Sequence, residues 1–475
     1  MDLDTKKGGS KRVISTFVLV MLNVSIMASL RNLPLVAEYG YSAIFYFLIV
    51  GICFLVPSAL VSAELATGWP KSGGIYIWVR EAFGDTWGFF AIWMQWVHNV
   101  TWYPAILAFV ATTLGYVFYP PLAENKYFVL GVVLVGFWGM TLLNFAGIRT
   151  SSLFSTIGVI CGTIVPGVLL IVLGFAWLVG GFPTHIHFDV AGLTPDLSSI
   201  DNIVFLGGLF LAFAGLEVSS GYAGEVQNPQ RNYPRAIIFA ALITFFLFML
   251  GALAIGIVIP KEDISLVAGL MEALRVFLAN FGISWLLPIL GLLLIFGSIA
   301  EVNSWIIGPV KALYTTTVHG NLPPIFQKTN DKGVPVNLLL FQAIIVTISS
   351  FVFLLMPNLS SSYWILSALS TQIYLIMYIF MFMAAIRLRY SRPNVPRAYK
   401  IPHPHKGIWA VSSLGIATSF FAIFLVFIPP AQINVGSLVF FESFLIIGLA
   451  VMIAIPLIIS IFKNPKWDIS TEVDE

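Results

Sequence analysis

Apolar runs of about 18 residues or more recur along the whole of this 475-residue chain, and no other feature limits its fold so strongly. Inside hydrocarbon no water satisfies a backbone N–H or C=O group, so a spanning segment must be an α-helix or part of a closed barrel. Runs of this length suit helices, because a tilted strand crosses in about 9–11 residues. Twelve spans are predicted, over residues 13–38, 42–67, 86–118, 127–146, 153–180, 201–223, 235–259, 284–315, 335–356, 362–388, 408–430 and 437–462. Only 10% of the residues are charged, against about 25% in a soluble globular chain. The expected fold class is therefore an all-α integral membrane protein. The first run shows no small-residue cleavage site, so no removable signal peptide is expected.

The charges place the chain in the membrane. Lys6, Lys7, Lys11 and Arg12 precede the first run, and alternate loops are basic, with Arg387, Arg389, Arg392, Arg397, Lys400 and Lys406 in one connection. The opposite loops hold only Lys126, Lys261 and Arg275. The positive-inside rule then puts both ends in the cytoplasm and favours an even number of spans. A polar segment at 181–200 and a short surface helix within 262–280 are expected on the outer side. The two cysteines, Cys53 and Cys161, fall inside spans and read as small buried hydrophobes. No phosphate loop, metal-ligand spacing or nucleic-acid-type basic patch occurs.

Two spans are interrupted. Span 1 carries "SLRNLP" (Ser29–Pro34), and span 6 carries "AFAGLEVSSGYAGE" (Ala212–Glu225). These are the first members of two sets of five spans. Five spans turn the chain over, and breaks at matching positions in two inverted halves mark a transporter built from inverted repeats. The halves are expected at 13–182 and 200–390. A cytoplasmic loop at 391–407, spans 11 and 12 at 408–462 and a short tail at 463–475 follow. On pattern alone Arg31 has two readings: a residue at the membrane interface, or a buried cation beside the break.

Glu217 and Glu301 are the acids deepest in apolar runs. Buried carboxylates default to functional roles such as tuning substrate charge or carrying a proton, with a structural partner for Arg31 as the other reading. Glu64 and Glu442 lie nearer span ends and read as structural. Trp305 follows Glu301 by four residues, and Tyr374 and Tyr378 are also four apart, so each pair shares a helix face. His98 is intramembrane and reads either as a pH sensor or as a hydrogen-bonded structural histidine. A membrane enzyme would need a catalytic constellation and a channel a continuous polar lining; neither pattern is visible.

Several stretches, in order, resemble the glutamate/γ-aminobutyrate antiporter family of the amino acid–polyamine–organocation superfamily. They are "AELATGWPKSGGIYIWVREAFG" (Ala63–Gly84), "AGLEVSSGYAGEVQNPQRNYPRA" (Ala214–Ala236), "AEVNSWIIGPVKALYTTTVHGNLPPIF" (Ala300–Phe326), "KGVPVN" (Lys332–Asn337) and "IYLIMY" (Ile373–Tyr378). The resemblance implies a leucine-transporter-type fold with a 5+5 inverted repeat, two added helices, and spans 1 and 6 unwound at the bilayer centre. It implies exchange of an amino acid for a related amino acid or its decarboxylated amine, with proton-coupled uptake of an amino acid or polyamine as the alternative. A cell-membrane location, the inner membrane of a bacterium, goes with it. Substrate binding is then expected at Ser29, Leu30, Arg31, Asn32, Ala214, Gly215, Glu217, Glu301, Trp305, Tyr374 and Tyr378. Gating or proton coupling is expected at Glu217, Glu301 and His98. The expected partners are a small amino acid or amine and the lipid bilayer, with a homodimer open and no nucleic acid; no cofactor or metal is called for.

Unwound backbone suits a zwitterion. Free N–H groups at the start of the outer half of span 1 can take a carboxylate, and free carbonyls can take an ammonium. Arg31 is expected to be buried and to meet Glu217, Glu301 or a substrate carboxylate. The tail after Phe462 is too short to fill a vestibule.

Overall fold

The computed structural model describes residues 14–70, 73–145, 157–403 and 405–468. The basic N-terminal tail, Lys71, Arg149, the first residues expected in span 5 and the last residues of the tail lie outside them, as does the side chain of Glu225. Among the described residues the regular structure is helical, with only isolated β-bridges.

Among the described residues ten helices are long and apolar enough to cross a membrane, and one bent pair makes an eleventh crossing. That pair is span 1, Thr16–Met27 and Leu30–Ala37, bent by 40°. The remaining expected span, 201–223, is not one helix. It runs as an α-helix over Leu206–Ala212, breaks, and continues as a 3-10 helix over Leu216–Glu225. Twelve long spans were expected; the difference lies in this sixth element, whose two halves are each too short to qualify.

The remaining helices are span 2 (Gly40–Gly68), span 3 (Asp85–Phe118), span 4 (Lys126–Asn144), span 5 (Ile157–Val179), span 7 (Gln230–Val258), span 8 (Ser284–Val318), span 9 (Val336–Leu355), span 10 (Leu359–Ser391), span 11 (Lys406–Leu425) and span 12 (Leu438–Ile461). Span 11 stops five residues before its expected end; the chain turns into the Pro429–Pro430 pair, which cannot continue a helix ladder. The surface helix expected within 262–280 is Gly269–Asn280, which buries Leu270, Met271, Leu274 and Phe277. Spans 3 and 10 are the most enclosed, with 83% and 78% of their most apolar stretches buried, and span 12 the least, at 11%. Spans 3 and 10 therefore form the centre, and span 12 lies at the periphery.

Close helix approach sets the site. A Cβ on Gly162 of span 5 would meet Gly297 Cα of span 8 at 2.3 Å. Backbones this near need small residues, as membrane helix pairs generally do. The contact fixes span 8 one turn before Glu301. Spans 2 and 5 each contain a π-turn, Gly51–Leu55 and Ile160–Ile164, which hold Cys53 and Cys161. Both cysteines are free and half-buried, so they pack at helix edges and not in the core as expected.

The basic connection after span 10 packs against span 2. Arg389 Nε donates to Glu64 at 2.9 Å, the Ile401 N–H donates to the same carboxylate at 2.8 Å, and Arg397 lies 3.8 Å away. Glu64 thus holds the loop against span 2, in the structural role expected of it. On this same face Lys463 pairs with Asp85 at 2.7 Å, and Gln327 donates to the Trp467 carbonyl at 2.7 Å. The segment after span 12 therefore clasps the ends of spans 3 and 8.

Candidate functional site between two broken helices

The breaks of spans 1 and 6 lie against each other. Thr16–Met27 ends when Ala28 leaves helical geometry, and Leu30–Asn32 forms a single 3-10 turn. Gly215 sits at φ +119°, a conformation open to glycine, and starts the second half of span 6. A Cβ there would meet Ile26 at 2.9 Å and Trp305 at 3.4 Å. So the two interruptions and span 8 converge at one point.

The helix ends are satisfied from outside. Trp305 Nε1 donates to the Ile26 carbonyl at 3.2 Å, and the Gly215 N–H donates to Tyr378 Oη at 2.7 Å. Each closes an orphan group that a broken helix would otherwise leave in a dry interior. The outer half of span 1, Leu33–Ala37, has Pro34 at its start, where a missing N–H costs nothing. Leu30 packs toward Gly167 of span 5, so of the four residues expected at this break its side chain serves packing.

Arg31 is 1% exposed, which rules out the interfacial reading. Its Nη1 donates to Tyr363 Oη at 2.7 Å, and that hydroxyl donates to Asn32 Oδ1 at 3.2 Å. The guanidinium carbon lies 5.3 Å from the ring centres of both Trp102 and Tyr363, within cation–π range. Nε and Nη2 are buried without a hydrogen-bond partner among the described residues. Among the described residues Arg31 forms no close ion pair with Glu217 or Glu301, although its charge acts on Glu301; of the three partners expected for it, the substrate carboxylate is left to the proposal below.

Glu217 is occupied elsewhere. Gln95 Nε2 donates to it at 2.9 Å, and the Tyr374 and Tyr378 hydroxyls both donate to it. Three donors from spans 3 and 10 fill much of the acceptor capacity of one carboxylate. Glu217 therefore ties the broken span 6 to the central helices. Glu301 is 3% exposed and feels Ser29 and Arg31, both from the span 1 break.

His98 is part of an aromatic stack. Its Nδ1 lies 2.6 Å from the Gln95 carbonyl, its ring is parallel to Tyr374 at 3.8 Å, and Trp305 meets it edge-on at 5.4 Å. His98 is thus hydrogen-bonded and stacked beside the donors of Glu217. Ser29 and Ala214 are buried within the two breaks. Ser304 donates to the Ala300 carbonyl of its own helix at 3.0 Å.

One cavity reaches the site, and a larger one lies apart from it. A small one of about 50 Å³ reaches Gln95, Glu217 and Ser220 from the face that carries the chain ends, and exposed Lys311 lines it. A large one of about 870 Å³ opens on the other face, and none of Arg31, Glu217, Glu301 or Trp305 lines it. The site is therefore closed toward the large vestibule.

Four contributors escaped the sequence reading: Gln95, Trp102, Tyr363 and Lys311. Lys311 carried a usable signal, a cation inside an apolar run. Gln95 sits three residues before His98 on the same face. Trp102 and Tyr363 carried none, because aromatics make up 15% of the chain.

Membrane-crossing helices in which two are interrupted side by side, around a buried cation and buried carboxylates, define a secondary transporter. The profile of the Amino acid permease family matches residues 13–453. An uncharacterized transporter of Legionella pneumophila is 43% identical over 94% of this chain and 96% of its own length. A glutamate/gamma-aminobutyrate antiporter of Lactococcus lactis is 30% identical over 95% of this chain and 90% of its own. A probable agmatine/putrescine antiporter of the same species is 24% identical over 82% of this chain and 83% of its own. The chain belongs to the amino acid permease family.

Proposed function

We propose that this protein is an antiporter that exchanges an amino acid for a related amino acid or its decarboxylated amine across a cell membrane. The observation that carries the substrate class is Arg31. A guanidinium cannot lose its proton to escape burial, and an intramembrane arginine costs about 2.5–3.5 kcal/mol even on insertion scales. Its two unpaired N–H-bearing nitrogens offer the fork that a carboxylate accepts in bidentate fashion. Glu301, acted on by the same break, supplies the negative charge for the substrate ammonium. Relatives named for glutamate with γ-aminobutyrate and for agmatine with putrescine support exchange between an amino acid or amine and its partner.

In this reading residues 13–182 and 200–390 are the two inverted halves, and alternating access rocks them about the crossed breaks. The face with the chain ends is cytoplasmic. The small cavity at Glu217 is then the inner path, and Lys311 draws carboxylated substrate toward it. Proteoliposomes loaded with a panel of amino acids and amines test the function. Labelled substrate should enter only when a counter-substrate is inside. Equal uptake into empty vesicles driven by a proton gradient would replace exchange with symport.

A further inference from the structure

The large vestibule holds an acid that the transport site does not use. Glu38 directly follows the outer half of span 1 and lines the cavity. It is 8% exposed, and among the described residues no hydrogen bond or ion pair engages its carboxylate. Burying a carboxylate favours its protonated form, and a cation that enters beside it favours the charged form instead; of the protein's own cations, Lys261 already acts on it in this way.

The surroundings say which cation fits. Asp196 and Glu262 also line the cavity, and among the described residues Lys261 is its one ammonium. His185 and His187 stand at the wall. Tyr39, next to Glu38 in the chain, and Tyr46 line the same cavity, with ring centres 4.3 Å apart. Carboxylates next to aromatic faces suit an organic ammonium, which gains both ion pairing and cation–π attraction. A divalent metal would ask for several converging ligands, and no group of three or more acids, histidines or cysteines among the described residues could hold one. The volume of about 870 Å³ admits a molecule much larger than a metal ion.

We propose that this vestibule is an amine-docking site in which Glu38 pairs with an organic ammonium group, distinct from the Arg31 pocket. It rests on the exchange reading to the extent that the amine it collects is the carboxylate-free partner of the exchange. Docking at the mouth raises the local concentration of the amine over that of the zwitterion, whose carboxylate the surrounding acids repel.

The test places a reporter in the vestibule. Gln432 lines it and is exposed. Gln432→Cys is made in a background with Cys53→Ala and Cys161→Ala, and its maleimide labelling rate is read in reconstituted protein. Putrescine should slow labelling, and the uncharged 1,4-butanediol should not. Glu38→Gln should weaken protection by putrescine about tenfold or more, while Glu38→Asp retains most of it. Equal protection in wild type and Glu38→Gln overturns the proposal, as does equal protection by the diol. Amino acid counterflow in the same vesicles reports separately on exchange: if it is absent while protection persists, the exchange reading fails and the docking site stands.

Discussion

Tyr363 Oη accepts the Arg31 Nη1–H at 2.7 Å and leaves Nε and Nη2 of the same guanidinium without a partner. One neutral acceptor orients the fork without neutralising it. Asn32, next along the 3-10 turn, takes the Tyr363 proton at 3.2 Å. The break in span 1 therefore presents a fixed, buried cation, and its position depends on a hydroxyl of span 10. Tyr363→Phe should leave the charge but loosen its aim. Substrate KM in proteoliposomes should rise about tenfold or more, in line with a hydrogen bond to a charged group of about 1.5–3 kcal/mol, with the protein still folded by size exclusion.

Glu217 and Trp305 act on the breaks in different ways. Glu217→Gln replaces the acceptor of three donors by an amide that accepts less and adds two donors. Trp305→Ala opens the Ile26 carbonyl and removes a wall of the site. Each is expected to cut exchange strongly while the protein still elutes as folded. Wild-type rates in both variants would move the site elsewhere.

The Glu64 cluster is a matter of stability. Arg389 Nε and the Ile401 N–H both donate to Glu64, and both charged side chains are buried, at 2% and 6% exposure. Removing one member of a buried pair typically costs about 3–5 kcal/mol. Glu64→Ala should lower the thermal midpoint in detergent far more than it changes the substrate KM of the protein that remains folded.

Glu38 gives a pH signature. Burial raises its carboxyl from 4.5 to about 8, with Lys261 pulling it down and Glu262 pushing it up. The folded protein then keeps a proton that the unfolded chain has lost. Stability from this group is greatest below about 4.5 and falls as pH rises to about 8. Asp196, His185 and His187 face the same cavity and remain in the variant, so the comparison isolates Glu38. Thermal midpoints of wild type and Glu38→Gln should agree near pH 4.5 and separate toward pH 8, with the variant the more stable. A separation that does not change with pH would contradict this.

The helices were legible because lipid forces period and length on the sequence: the 86–118 run became Asp85–Phe118, and 437–462 became Leu438–Ile461. Both breaks were legible too, since Pro34 and Gly215 mark them. Which groups the breaks would hold was less so. Arg31, Glu217 and Glu301 were the visible charges, and charge matching suggested that they pair. The structure instead gives Glu217 to Tyr374, Tyr378 and Gln95, and sets Arg31 against Tyr363 and Trp102. Such pairings rest on how spans 3 and 10 cross the breaks, which no local pattern records. The role of Leu30 was hidden for the same reason: its partner is Gly167, far along the chain.

The central claim is that Arg31 holds the substrate carboxylate between the two broken helices. Counterflow by Arg31→Ala and Arg31→Lys in proteoliposomes, run in parallel with an amino acid and with its decarboxylated amine, tests it most directly. The account predicts that Arg31→Ala loses amino acid exchange by at least about tenfold while amine–amine exchange persists, and that Arg31→Lys restores it only in part because lysine lacks the planar fork. Undiminished amino acid exchange by Arg31→Ala would contradict it.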